Sequence, residues 1–252
     1  MKQIFAYENI EQYQKSIQTT QYLIEKLEIY RQILEKEFKL RDIPKAIVWT
    51  SEEIATNIFS TVPIPAYTTK DIIYMNPNLE DWRQLFLRQL EGQQHFEIEK
   101  YYKTICNDHI FCILAHELTH HSDLFLDEFD DERMDSIWFE EGMCEYLSKK
   151  LTLNENQFDE IAKIELELIH LFKDKYGKHS LDDFGTASYE SESLTSIMYD
   201  YWRSFQTIKY LVEERSDNNI HHVFEVYHRW HKEGRKVSLT QYFNLDSFLN
   251  SL

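Results

Sequence analysis

The chain of 252 residues carries a formal net charge of −17 and contains only five glycines and four prolines. This acidity argues against binding to nucleic-acid phosphates or anionic membranes, and 16 Tyr, 16 Phe and 5 Trp exclude a disordered chain. The length fits one large domain or two small lobes, and the scarcity of turn-forming residues favours a helix-rich fold. Cys106, Cys112 and Cys144 give no disulfide framework.

The N-terminal part of the chain predicts helices and short strands. Apolar residues at near-heptad spacing predict one long amphipathic helix over residues 8–39. We expect this helix to pack across its own domain, and the alternative is a helix that binds a partner or a second copy. Residues 45–50 predict a strand, residues 51–60 a short helix and residues 67–76 a strand pair. Residues 79–100 predict a helix followed by a loop, with the break near Gly92.

Residues 101–121 predict a buried helix, because apolar side chains cover most of its circumference. The helix ends in His-Glu-Leu-Thr-His, and residues i and i+4 of a helix lie on one face. His116 and His120 are therefore candidate zinc ligands, and Glu117 is a candidate general base toward a water. Cys112 lies one turn before the motif, and we interpret it as a small buried hydrophobic residue rather than a ligand.

The connection over residues 122–135 is strongly acidic. We interpret it as a solvated loop, and the alternative is a wall of the substrate cleft that favours basic peptides. Asp123, three residues past His120, is a candidate hydrogen-bond partner for that ring.

A second motif, Trp-Phe-Glu-Glu-Gly at residues 138–142, lies on the next predicted helix, which runs from about residue 136 to residue 150. A catalytic zinc takes a third protein ligand and leaves its fourth position for water, so Glu140 and Glu141 are both candidates. Glu145, one turn further along, is a candidate hydrogen-bond partner for the ligating histidines.

The C-terminal part predicts helices over residues 154–176, 194–214 and 220–232, followed by a short terminal helix. Four histidines on the third of these helices are interpreted as titratable surface, namely His221, His222, His228 and His231. A second metal site at His228 and His231 is the alternative.

Together the two motifs resemble those of the gluzincin metallopeptidases. His-Glu-x-x-His followed by Trp-x-x-Glu-Gly and a nearby tyrosine is most similar to the zinc aminopeptidases and bacterial collagenases of that group. The resemblance covers roughly residues 62–215. It implies that Zn²⁺ is bound by His116, His120 and the glutamate directly before the glycine, Glu141.

The resemblance also implies a phenol that stabilises an oxyanion, on a helix that follows the metal ligands. The pattern falls on Tyr201, and Tyr199 is the alternative. Some gluzincins also place a histidine beside the oxyanion, which would correspond here to His228 or His231.

The fold that we expect is α+β and helix-rich, a zincin-like two-lobed catalytic domain formed by residues 1–252. Residues 1–121 would form an N-terminal lobe with a small mixed sheet and the active helix. Residues 122–252 would form a helical C-terminal lobe, with the cleft between the two lobes. In gluzincins an edge strand just before the HExxH helix pairs with the bound peptide, and residues 72–76 occupy that place in this sequence.

The expected function is zinc-dependent hydrolysis of a peptide bond in a peptide or protein substrate, with Glu117 and Tyr201 as catalytic residues. The aminopeptidases hold the substrate amine with the Glu of a Gly-x-Met-Glu-Asn phrase. This chain has Tyr-Met-Asn-Pro at residues 74–77, which favours an endopeptidase. The alternatives are a non-catalytic, zinc-stabilised module that binds a protein, and a zinc hydrolase of a non-peptide bond. The N-terminal residues contain no apolar signal segment, so we expect a cytoplasmic protein.

Overall fold

A four-stranded sheet lies in the N-terminal part of the chain, and most of the remaining chain is helical. The computed structural model describes residues 1–129, 135–185 and 193–252. The sheet has the order β1-β2-β4-β3 and consists of β1 (Lys2–Ala6), β2 (Ala46–Thr50), β3 (Ala66–Thr68) and β4 (Ile72–Met75). β1, β2 and β4 are parallel, whereas β3 pairs antiparallel with β4. This mixed sheet in a helix-rich chain confirms the α+β class, although β1 was not predicted.

Most of the longer helices agree with the periodic segments of the sequence, and the exceptions are α4 and α5. In the first half they are α1 (Ile10–Glu37), α2 (Glu52–Ile54), α3 (Leu79–Arg88), α4 (Phe96–Thr104) and α5 (Asn107–Thr119). In the second half they are α6 (Ile137–Thr152), α7 (Glu155–Tyr176), α8 (Leu194–Glu213), α9 (Ile220–Lys232), α10 (Leu239–Tyr242) and α11 (Asp246–Ser251). α2 continues as a π-helical turn over Ala55–Phe59. Within the described ranges, no helix combines the length and the apolar character needed to cross a membrane.

The chain divides into two compact units. The first comprises Met1–Asp123 and Leu147–Glu155, and the second comprises Leu124–Tyr146 and Asn156–Leu252. The boundary near residue 123 lies close to the end of the predicted N-terminal lobe, but a second segment of the chain returns to the first unit. Helix α6 is therefore shared, because its residues belong to the second unit as far as Tyr146 and to the first unit from Leu147 onward.

Helix α1 packs against α5 in the first unit, which confirms that it lies across its own domain. The Tyr30 hydroxyl is 2.7 Å from the hydroxyl of Thr119. The buried stripe of α1 does not follow its apolar residues throughout, since the polar Thr20 is buried while Ile10 and Ile17 are exposed. Thr20 tolerates burial because its hydroxyl donates a hydrogen bond to the Ile17 carbonyl, 3.0 Å away.

The helix predicted over residues 101–121 is in fact two helices, α4 and α5. Ile105 and Cys106 separate the two helices, and their backbone is extended rather than helical. The Cys106 N–H donates a hydrogen bond to Nδ1 of His109, 3.2 Å away, and Arg83 donates to the Ile105 carbonyl at 2.7 Å. These side chains satisfy backbone groups that lack a helical partner at the break. One helix can therefore end and the next begin, although the sequence stays apolar across the break.

Candidate metal centre

The HExxH motif lies at the C-terminal end of α5. The helix ends at Thr119, and His120 follows it directly with a helical backbone. Because positions i and i+4 lie one turn apart on the same face, the Nε2 atoms of His116 and His120 are 3.1 Å apart. His116 and Glu117 are both buried. Two imidazole nitrogens therefore converge on one point, and the residue that follows the first of them, Glu117, is buried.

Glu141 brings a third ligand atom to the two histidines. One ligand atom from each of His116, His120 and Glu141 lies within 4.8 Å of the other two. Within residues 1–129, 135–185 and 193–252, no other group of His, Cys, Asp or Glu side chains has this spacing. The geometry therefore brings together the three side chains that the sequence predicted as ligands.

Glu140 and Glu141, which the residues alone left as alternatives, have different surroundings. Consecutive residues of a helix are rotated by about 100° around its axis. Glu140 is buried near the phenol of Tyr227, whose pKa is raised by burial and, to a smaller extent, by the charges of Asp127 and Glu140. Only Glu141 joins the histidines, so the helical period separates the two carboxylates.

The position of α6 beside α5 is supported by a contact inside the first unit. The Cys112 thiol lies 3.0 Å from the hydroxyl of Thr152, and both residues belong to that unit. Glu141 lies about three turns before Thr152 on the same continuous helix. Cys112 is buried and takes no part in the metal-binding group, as the sequence interpretation expected.

The donor set fits a catalytic zinc. Two imidazole nitrogens and one carboxylate oxygen leave one position open in a four-coordinate site. Nitrogens bound tetrahedrally at about 2.0–2.1 Å from Zn²⁺ lie about 3.3 Å from each other. The 3.1 Å between the two Nε2 atoms is close to that separation. The same donors also bind other divalent transition metals, so the geometry indicates a metal site without selecting the ion.

His121, directly after His120, links α5 to the sheet. Its Nε2 atom is 2.8 Å from the hydroxyl of Thr68 on β3. The ring is buried, and burial together with the nearby His120 lowers the pKa of His121 to about 3, so the ring is neutral. Nothing in the sequence had marked His121, because its partner lies more than fifty residues away.

The edge strand nearest to this end of α5 is β3, which corrects the prediction for residues 72–76. Ile72–Met75 form β4, which pairs with β2 on one side and with β3 on the other. An internal strand has no free backbone groups for a peptide, so the substrate-pairing role proposed for residues 72–76 is wrong. β3 precedes β4 in the chain and pairs with it as a hairpin, and β3 is the strand of the two that lies at the edge of the sheet.

The two candidate tyrosines lie on α8 in the second unit. Tyr201 is half-buried, with its ring centroid 5.2 Å from that of Phe184. Tyr199 is only 2% exposed and packs against Tyr176 and Trp202, and burial raises the pKa of its phenol. Of the two, Tyr201 retains the exposure that contact with a substrate requires.

Other side chains near the motif have structural roles. Asp123 pairs with Arg41 at 3.4 Å rather than with the histidine three residues before it, which corrects the prediction for this residue. Asp127 and Asp135 of the acidic connection pair with Arg235. The acidic residues 130–132 of that connection lie outside the described residues. Glu145 is partly exposed on α6.

Most histidines of helix α9 lie on the surface, as expected. His221, His222 and His231 are exposed, whereas His228 is half-buried and its Nε2 atom lies 2.7 Å from the Leu124 carbonyl. Among the described residues, neither His228 nor His231 belongs to a group of three side chains spaced to hold a metal ion.

Gly142, directly after Glu141, has a role that the sequence did not reveal. A Cβ atom at this position would lie 2.6 Å from the Ser204 carbonyl oxygen and 2.7 Å from Cγ1 of Ile208. The glycine therefore allows α6 and α8 to pack closely within the second unit. The Trp-x-x-Glu-Gly phrase thus combines a candidate ligand with the residue that permits its helix to pack.

Comparison of the chain with protein-family models, with curated proteins and with solved structures gives no match.

Proposed function

We propose that this protein is a zinc-dependent metallopeptidase that hydrolyses internal peptide bonds. The observation that carries the proposal is the convergence of His116, His120 and Glu141 on one point. Glu117 follows the first histidine in the sequence and is buried. These are the donor set and the base that peptide hydrolysis by a metal-assisted route requires.

A zinc ion held by the three side chains would supply Lewis-acid chemistry, polarising the scissile carbonyl and acidifying the attacking water. Glu117 would accept the proton of that water and pass it to the nitrogen of the leaving amine. Tyr201 would donate a hydrogen bond to the oxygen that becomes negatively charged in the transition state. Glu117 is buried, which would keep bulk water away from the carboxylate that handles the proton.

The zincin-like, two-lobed organisation is part of the same proposal. A peptide would bind in extended form along the outer edge of β3, since Thr68 of that strand contacts His121, the neighbour of His120. We also propose that residues 74–77, which lack a glutamate, do not hold a free substrate amine, which favours endopeptidase action. The cytoplasmic location expected from the sequence stays a prediction.

The proposal is tested first by metal content. Protein purified without an affinity tag or chelator should contain about one zinc per chain by elemental analysis. Glu141→Gln should lose the metal, because an amide oxygen is a weaker zinc ligand than a carboxylate, whereas Glu140→Gln should retain it. This matched pair changes the same chemical group at adjacent positions of one helix.

Turnover of a mixture of proteome-derived peptides, read by mass spectrometry, then separates the functional alternatives. Zinc-dependent cleavage at internal bonds supports the peptidase. A chain that contains stoichiometric zinc but cleaves no peptide would instead be a zinc-stabilised binding module or a hydrolase of another bond. A chain that takes up no metal on titration would refute all three.

A further inference from the structure

An aromatic cluster lies on the face of the sheet opposite to α5. Tyr67 on β3 and Tyr74 on β4 are directly paired, and their rings stack with centroids 4.6 Å apart. Phe59 lies at the end of the π-helical turn, and its ring centroid is 5.0 Å from that of Tyr74. The Phe59 carbonyl accepts a hydrogen bond from the Tyr67 hydroxyl at 2.9 Å. Phe59 is 39% exposed and the adjacent Ile58 is 72% exposed. The cluster thus presents apolar surface to solvent.

The two faces of β3 are assigned by the alternation of strand side chains. Thr68 contacts His121 at the end of α5, so it lies on the face that α5 covers. Tyr67, its neighbour, must point to the other face, together with its cross-strand partner Tyr74. The aromatic cluster and the metal ligands therefore lie on opposite faces of the same short edge strand.

The hydrogen-bond register directs the N–H and C=O groups of every second β3 residue away from β4, and Ala66 at this edge is 5% exposed. The Asn76 N–H bonds to the Pro65 carbonyl and the Thr69 N–H to the Ile72 carbonyl, both at 2.9 Å. In an antiparallel ladder such bonded pairs recur every second residue, so Tyr67 and Tyr74 form the bonded pair between them. The N–H and C=O groups of the flanking residues, Ala66 and Thr68, therefore point away from β4, and they have no partner among the described residues.

A peptide strand added to this edge would bond to Ala66 and Thr68, and one of its residues would lie directly opposite Tyr67. That pair would be a non-hydrogen-bonded antiparallel pair, in which the two side chains approach most closely. The peptide side chain opposite Tyr67 would point to the same face as the tyrosine and would lie on the aromatic cluster.

We propose that Phe59, Tyr67 and Tyr74 form a binding site for an aromatic or large aliphatic side chain of an extended peptide that pairs with the outer edge of β3. The inference rests on the proposed peptidase function, because it assigns a side-chain preference to that substrate. β1 is also an edge strand, but β3 is the one connected to the metal ligands through Thr68 and His121. Stacked aromatic rings favour apolar and aromatic partners over acidic ones.

Binding of peptide pools to the Glu117→Gln chain tests the inference without cleavage. The probes are short fluorescent peptides, randomised except at one central position that is fixed as Phe, Leu, Arg, Asp or Gly, and binding is read by anisotropy. The Phe and Leu pools should bind about tenfold more tightly than the Asp and Gly pools, the size expected for one buried ring contact. Equal affinities, tightest binding of the Arg or Asp pool, or no binding at all would overturn the inference.

Variants assign the preference to the cluster. Tyr67→Thr removes the ring but keeps a good strand former, and it should reduce the difference between pools to about twofold. Phe59→Ser should have a similar effect without any change in β3, while Tyr67→Phe should preserve the preference. Phe96→Ser, which removes a 75% exposed ring on α4, is the matched control and should change nothing. A preference that survives both Tyr67→Thr and Phe59→Ser would contradict the assignment.

The side-chain site and the proposed peptidase function can be refuted independently of each other. A pool preference that depends on the cluster, in a chain that neither binds zinc nor cleaves peptides, would support the side-chain site and refute the peptidase. Cleavage without a side-chain preference would do the reverse.

Discussion

Glu117 lies in the motif between the two candidate ligand histidines, and its substitution separates metal binding from turnover. Glu117→Gln keeps the size of the side chain and removes its ability to accept a proton. We expect the variant to retain zinc and to lose at least about a hundredfold in kcat/KM on a cleaved peptide. Elemental analysis and steady-state kinetics on the same preparation measure both effects. Unchanged kcat/KM in a zinc-loaded variant would exclude Glu117 as the base.

Tyr201 and Tyr199 form a natural pair for testing the phenol. Both lie on α8, but Tyr199 is in the core of the second unit and Tyr201 is half-buried. Loss of a hydrogen-bond donor to a developing oxyanion costs about a hundredfold or more in kcat. We expect that loss in Tyr201→Phe, with Tyr199→Phe close to wild type in kcat. A loss of kcat in Tyr199→Phe instead would show that the resemblance assigned the role to the wrong tyrosine.

At the scale of helices, Gly142 controls how closely α6 and α8 approach within the second unit. A methyl group there would meet the Ser204 carbonyl at 2.6 Å, and backbone cannot move aside as a side-chain tip can. Gly142→Ala should therefore lower the free energy of unfolding by about 2 kcal/mol or more, as measured by urea denaturation.

Gly92→Asn is the control for this effect. Gly92 has a φ of +80 and nothing within 4 Å of an added Cβ, and Asn tolerates that backbone conformation better than most residues. An equal loss of stability in both variants would mean that close helix packing is not the cause.

At the scale of the sheet, the hydrogen bond between Thr68 and His121 connects β3 to α5. Thr68→Val is nearly isosteric but leaves the buried imidazole without that partner, at a cost of about 1–3 kcal/mol in the free energy of unfolding. Thr68→Ser keeps the hydroxyl and should lose less than half as much. Denaturant midpoints of the two variants measure the difference, and equal midpoints would show that the bond does not stabilise the fold.

At the scale of the whole molecule, a metal bound only by the folded chain stabilises it. Ligand that exceeds its dissociation constant a thousandfold contributes about 4 kcal/mol. Removal of zinc by a chelator should therefore lower Tm by several degrees, and added zinc should restore it. His120→Ala should show a Tm that does not respond to chelator. A wild-type Tm that is indifferent to chelator and zinc would contradict a metal site with native occupancy.

Much of the fold and part of the candidate site could be predicted from the sequence, because they depend on local periodicity. The 3.6-residue period brings His116 and His120 to one face of a helix regardless of the rest of the molecule. The same period, with capping residues, located α1, α7, α8 and α9 within a few residues. The break at Cys106 was missed, because apolar character continues across it and only a local hydrogen-bond arrangement interrupts the helix.

Tertiary structure alone decided which residues from distant parts of the chain meet. The resemblance selected Glu141 over Glu140, and the packing of α6 placed Glu141, not Glu140, beside the histidines. Strand order placed β3 at an edge of the sheet and β4 inside it, although β4 stands closer to the motif in sequence. The contact of His121 with Thr68 has no local signal at all. Periodicity fixes the direction of a side chain on its own element, whereas the partner that it meets depends on contacts between elements far apart in the chain.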